Sequence, residues 1–120
     1  MKRMLIIAAF AAALQLLALQ ASRKVYSVSE DGVKPPRIVH KSEPQYSPEA
    51  KDAGIEGTVQ LTTVIETDGR ATDVQVVRSL ESSLDEQAVK AIRSWVFEPA
   101  TRDDVPVRVK ARIEINFRLK

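Results

Sequence analysis

Cysteine is absent from the 120-residue chain, so disulfide staples are excluded and a domain of this size must be held by one hydrophobic core. Histidine occurs once, at His40, with no second ligand candidate at a recognisable spacing. It therefore reads as a solvated residue ahead of the first helix, with no metal or catalytic role expected. No glycine-rich phosphate loop and no serine in a nucleophile motif is present, and Asp103-Asp104, between a proline and a strand, reads as turn chemistry. No enzyme activity, cofactor or metal is expected from this chain. A surplus of one charge is lacking too. Lys2 and Arg3 lie in a terminal apolar segment, and the other basic residues equal the 16 acidic ones in number. A general nucleic-acid role has no electrostatic footing. Internal repeats and low-complexity tracts are missing as well.

What is there begins with a targeting signal. Lys2 and Arg3 form a short positive region, Met4 to Leu19 is apolar except for Gln15, and Ala21 offers a small residue before a cleavage point. Residues 1–21 read as a signal peptide, although Leu19 stands where a small residue is usual. The competing reading is a short membrane anchor. A spanning helix needs about 20 apolar residues, and this run is shorter and interrupted, which favours cleavage. Both readings place the rest of the chain outside the cytoplasm. Residues 22–36 are a polar lead-in, with an Asp31-Gly32 turn and a stiff Pro35-Pro36 pair, and residues 37–120 form one domain.

Within that domain, Ser47 and Pro48 suit the cap and first position of a short helix that Gly54 closes. Val59, Leu61, Thr63 and Ile65 alternate with polar residues as a strand with one dry face. Asp68-Gly69 supplies the positive φ of a hairpin turn, and Val74, Val76 and Val77 belong to the returning strand. Ser83-Leu84-Asp85-Glu86 matches a capping box. Leu84, Ala88, Ala91, Ile92 and Trp95 then fall on one face of a helix that has ended by Pro99.

From Val105 to Leu119 every odd position is apolar and, from Pro106 to Lys120, every even one is polar or proline. This is one long strand with a dry and a wet face, reaching about 50 Å at ~3.3 Å per residue. The hairpin strands are too short to cover it, so part of it is expected to lack an intramolecular partner. The fold class is α+β. A three-stranded antiparallel sheet in the order 2-1-3 carries one amphipathic helix on a face, with a short N-terminal helix ahead of it, and leaves the last strand at an edge. The wet face of that strand, with Arg108, Lys110, Arg112, Arg118 and Lys120 against Glu114, fits either edge protection or the steering of an acidic segment.

These residues resemble a known family. Pro44, Tyr46, Pro48 and Ala50 resemble the P-x-Y-P-x-x-A opening of TonB C-terminal domains, and Gly57-Thr58-Val59 resembles the start of their first strand. Asp68-Gly69 matches their hairpin turn. Leu84-Asp85, Ala88 and the run Ala91 to Ala100, with Trp95, Phe97 and Pro99, resemble their helix and the segment after it. Pro106-Val107 and Ile115 to Leu119 complete an ordered set from Arg37 to Lys120.

The resemblance implies a binding module. TonB proteins are tethered to the inner membrane, engage a proton-driven ExbB–ExbD motor and pull on outer-membrane receptors. Their C-terminal domain grips a receptor segment, the TonB box, which adds as a strand along the last β-strand. On this chain that implies contacts from Arg112, Ile113, Glu114, Ile115 and Asn116, and from Lys41, Ser42, Glu43, Pro44 and Tyr46 at and before the opening motif. Tyr46 serves either packing or contact. Gly57, Asp68, Gly69, Leu84, Trp95, Phe97 and Pro99 are implied structural positions. Glu43 stands where a glutamine is familiar, and Ser47 separates Tyr46 from the proline. The first apolar segment lacks the histidine of motor-coupled anchors, and Ser22 to Pro36 spans only about 50 Å when extended. Both features argue against a full energy transducer. Two functions follow: a periplasmic module for TonB-dependent receptors, or a periplasmic assembly module that forms homodimers through the edge of the last strand.

Overall fold

The computed structural model describes residues 23–120. The signal-peptide reading falls outside them. Ten elements follow in order: β1 (Val25–Ser27), β2 (Val33–Lys34), β3 (Arg37–His40), α1 (Pro48–Asp52), β4 (Gly57–Ile65), β5 (Ala71–Arg78), α2 (Ser82–Ser94), β6 (Val96–Glu98), β7 (Ala100–Arg102) and β8 (Val105–Phe117).

α1 starts where Ser47 accepts a hydrogen bond from the Ala50 amide at 3.2 Å. It stops at Gly54, whose φ of +67° lets the Gly54 and Ile55 amides reach back to the Lys51 and Ala50 carbonyls at 3.1 and 2.9 Å. These are the two bonds of a Schellman cap. The Ser47 hydroxyl also meets that of Ser83 at 2.6 Å, which ties α1 to the start of α2.

α2 begins two residues earlier than its serine-based box implies. Its cap is Glu81, whose carboxylate accepts from the Ser83 and Leu84 amides at 3.1 Å each and from the Ser83 hydroxyl at 2.5 Å. Those bonds, the Ser83 hydroxyl's first, lower the Glu81 pKa below its ordinary value. Asp85 turns back instead to the Leu80 amide at 3.0 Å. A glutamate spans the distance to two amides that a serine does not, and Ser83 is committed to Glu81 and Ser47.

The expected strand order survives as β5-β4-β8, antiparallel throughout. The expectation of three strands does not. The sheet has six strands, ordered β2-β7-β8-β4-β5 with β1 added to β8, and β3 and β6 form a separate two-stranded sheet. The additional strands are two to four residues long. At that length no period-two pattern can declare itself, and pairing with longer neighbours decides their conformation. Asp103 and Asp104, at φ +51° and +65°, form the two-residue turn between β7 and β8.

One dry layer lies between α2 and the sheet. Val59, Leu61 and Ile65 of β4, Val109, Ile115 and Phe117 of β8, and Leu84, Ala88, Ile92 and Trp95 at α2 are all buried. Thr63 sits among them as a buried polar group. Asp73, at φ +47°, lies where the β4–β5 register shifts, and the Thr63 hydroxyl donates to the Thr72 carbonyl beside it at 2.7 Å. The hairpin turn is fixed from outside as well. Gly69 has φ +86°, its carbonyl accepts from the Phe97 amide at 2.8 Å, and a Cβ there would lie 2.0 Å from the Phe97 carbonyl oxygen.

Candidate binding site at the open edge of the sheet

β8 has two edges, and its partners divide between them. β4 pairs with Val109 to Phe117 along one edge. β1 pairs in parallel with Arg108, Val109 and Lys110. Val109 and Lys110 are shared by both partners, so β1 must lie on the edge opposite β4. Beyond β1, from Ala111 to Phe117, that opposite edge has no strand partner among the described residues. The length argument from sequence thus needs correcting. The N-terminal end of β8, which outruns β4, is paired with β7 and β1, and the unpaired stretch is the edge facing away from β4.

A cleft of about 150 Å³ sits on that edge, between Lys41, Glu43, Pro44 and Trp95 on one side and Glu114, Ile115 and Asn116 on the other. Glu114 and Asn116 belong to one face of β8 and Ile115 to the other, which places the cleft at the strand's margin. No β4 residue lines it. Trp95 fastens its outer wall: the indole N–H donates to the Ser42 carbonyl at 2.8 Å, the Ser42 and Ser94 hydroxyls meet at 2.5 Å, and the Lys41 ammonium lies 5.3 Å from the indole centroid.

Six residues implied as contacts therefore gather at one cleft. The other four do different things. Ser42 is turned toward Trp95 and Ser94. Tyr46 packs edge-on against Phe117 with ring centroids 5.5 Å apart, and its hydroxyl donates to the Ile55 carbonyl. Burial raises the Tyr46 phenol above its ordinary pKa. This side chain anchors the segment and does not line the cleft. Ile113 packs against the core cluster. Arg112 is exposed on the helix-free face of the sheet, next to Lys110, and neither has an ion-pair partner among the described residues. On that face Glu114 accepts from Gln60 at 3.1 Å and Asn116 from Thr58 at 2.5 Å.

Leu84, Trp95 and Phe97 are buried, and Asp68 accepts from the Arg70 amide at 3.0 Å to close the turn. Gly57, at φ +149°, stands where a Cβ would meet the Leu80 side chain at 2.6 Å. Pro99 links β6 to β7.

Two features were missed from sequence. The first is a second hollow of about 240 Å³ on the helix side of the Ser42–Gln45 segment, bordered by Gln87, Lys90, Ala91 and Ser94 of α2. The spacing of Gln87, Lys90 and Ser94 on one turn-by-turn stripe was a usable signal. The second is β1, which no pattern announced.

An open sheet edge with a cleft beside it has the geometry of a surface for protein–protein interaction. The profile of the family described as "Gram-negative bacterial TonB protein C-terminal" matches residues 42–119, so the chain belongs to that family. Among curated relatives, Protein TonB of Vibrio cholerae is 34% identical over 72% of this chain and 36% of its own length. Protein tonB2 of Pseudomonas aeruginosa is 35% identical over 68% of this chain and 30% of its own. The chain therefore spans about a third of the relatives it matches. The solution NMR structure of the Pseudomonas aeruginosa TonB CTD superposes with a TM-score of 0.61 at 28% identity, covering 79% of this chain and 94% of that one.

Proposed function

We propose that this domain is an exported, periplasmic module that engages the TonB box of a TonB-dependent outer-membrane receptor by strand addition along β8, as part of energy-coupled transport. One observation carries the reading: the unpaired edge of β8 from Ala111 to Phe117 runs beside the cleft walled by Lys41, Glu43 and Pro44. Unpaired amides and carbonyls on an edge are a template for a second chain, and adjoining pockets for alternate side chains give it register. Family membership supports the kind of partner.

Calorimetric titration of the domain with TonB-box peptides from receptors of the same genome tests this. Main-chain pairing predicts that N-methylation of alternate peptide amides abolishes binding in one phase of the alternation and spares it in the other. Glu43→Gln should leave stability within about 0.5 kcal/mol, as an exposed substitution does, while changing peptide affinity. Equal binding of both methylated series would remove the strand-addition mechanism. A concentration-dependent dimer with no peptide affinity would instead assign the edge to self-assembly.

A further inference from the structure

β1 occupies the very edge on which the proposed partner strand would add. It is three residues long and none of them is buried. Val25 is 38% exposed, and the half-buried Tyr26 alone of the three packs against the core, its ring between the Lys24 ammonium at 4.3 Å and the Arg102 guanidinium at 5.3 Å. Its start is held by one bond, from Arg108 Nη1 to the Arg23 carbonyl at 2.7 Å, while the same guanidinium grips Glu66 through Nε at 2.9 Å. The β4–β8 ladder on the other side has nine residue pairs and buried side chains along its length. The two edges of β8 are thus closed by partners of very different tenacity. Short, exposed elements open locally long before the core does.

We infer that β1 is a displaceable strand supplied by the chain itself, which occupies positions Arg108–Lys110 of the partner-binding edge and is expelled by a partner strand longer than the open stretch. The inference rests on the strand-addition reading above and adds a length filter to it. A peptide of about seven residues, matching Ala111–Phe117, fits without disturbing β1, whereas a longer one must compete with it. Arg108 keeps its Glu66 contact in both states, and what is given up is the Arg23 bond, the three-residue pairing with β8 and the contacts of Tyr26.

The absence of cysteine provides a clean test. Ser27 and Lys110 are paired neighbours across β1 and β8, so Ser27→Cys with Lys110→Cys creates a single possible disulfide that locks β1 in place when oxidised. Val25→Pro with Tyr26→Ala releases it. TonB-box peptides of about seven and about fifteen residues are titrated against the full chain in wild-type, locked, reduced and released forms. Locking should weaken the long peptide about tenfold relative to the reduced form and leave the short one unchanged, and release should tighten the long one. Amide exchange at Val25–Ser27 should be at least about a hundredfold faster than at Val59 and Leu61. Long-peptide affinity indifferent to locking and release, or β1 amides as protected as those of β4, would overturn this inference alone. Failure of every form to bind either peptide would remove strand addition, and this inference with it.

Discussion

Trp95 is the residue at which the fold and the binding edge depend on the same atoms. It is 3% exposed, packs at 6.2 Å from Phe97, caps the end of α2 and holds the Ser42 carbonyl through its indole N–H. Trp95→Ala removes the packed ring and leaves that carbonyl without its donor, a loss of about 3–5 kcal/mol for the side chain alone. A domain of this size has about 5–15 kcal/mol of stability in all. At a urea slope of about 2 kcal/mol per molar the unfolding midpoint should fall by roughly 2 M. Trp95→Phe separates the two roles. Most of the ring remains, so the cost should be nearer 1–2 kcal/mol from one hydrogen bond and a small void. The wall from Lys41 to Pro44 then loses its anchor, and peptide affinity should drop more than stability does. Equilibrium urea unfolding followed by circular dichroism gives the first quantity, and titration calorimetry at low temperature gives the second. A midpoint that hardly moves for Trp95→Ala would refute the placement of the α2 face. Unchanged peptide affinity in a well-folded Trp95→Phe would refute the coupling of wall to site.

Two further outcomes follow from local geometry. Gly69→Ala should destabilise by about 2–3 kcal/mol in the same unfolding assay, because the added carbon meets the Phe97 carbonyl at 2.0 Å on a backbone that already has positive φ; a neutral result would mean the turn is not docked on β6. Glu81 has its pKa lowered by the Ser83 and Leu84 bonds, so its contribution is present above the unfolded value of 4.5 and lost as pH falls from there through the folded value. Glu81→Gln should flatten the stability profile in that acid window, and an unchanged profile would show that another carboxylate governs it.

Much of the fold is legible because side-chain period reports what faces what. The β4 alternation, the α2 stripe and the fifteen-residue pattern ending at Leu119 each specify a dry face, and Gly54, Gly69 and Asp103-Asp104 mark turns that need positive φ. The cap of α2 was misplaced because two chemistries competed within three residues. Serine is the more favoured cap, but the Ser83 hydroxyl is taken up by Ser47 and Glu81, and the Glu81 carboxylate accepts from the amides in its place. β1, β2 and β7 were invisible for a different reason: two or three residues cannot show a period, so β1 and β7 borrow their structure from β8, and β2 from β7.

The candidate binding edge was half legible, and the missing half follows from strand geometry. Side chains of a strand project above and below the sheet, whereas its amides and carbonyls project sideways, at right angles to them. Alternation therefore names the two faces of β8 without naming its two edges. Arg112, Glu114 and Asn116 mark the wet face equally well whichever edge β4 takes. What settles the matter is register. Val109 and Lys110 are paired on both sides and Ala111 to Phe117 on one, which leaves a seven-residue stretch whose alternate amides and carbonyls face outward next to Lys41, Glu43 and Pro44. The charges at Lys110, Arg112 and Glu114 then have a clear physical role at that edge. On the proposed strand-addition reading they discourage indiscriminate pairing between exposed strands, and a partner supplies side chains suited to the cleft as well as a free backbone.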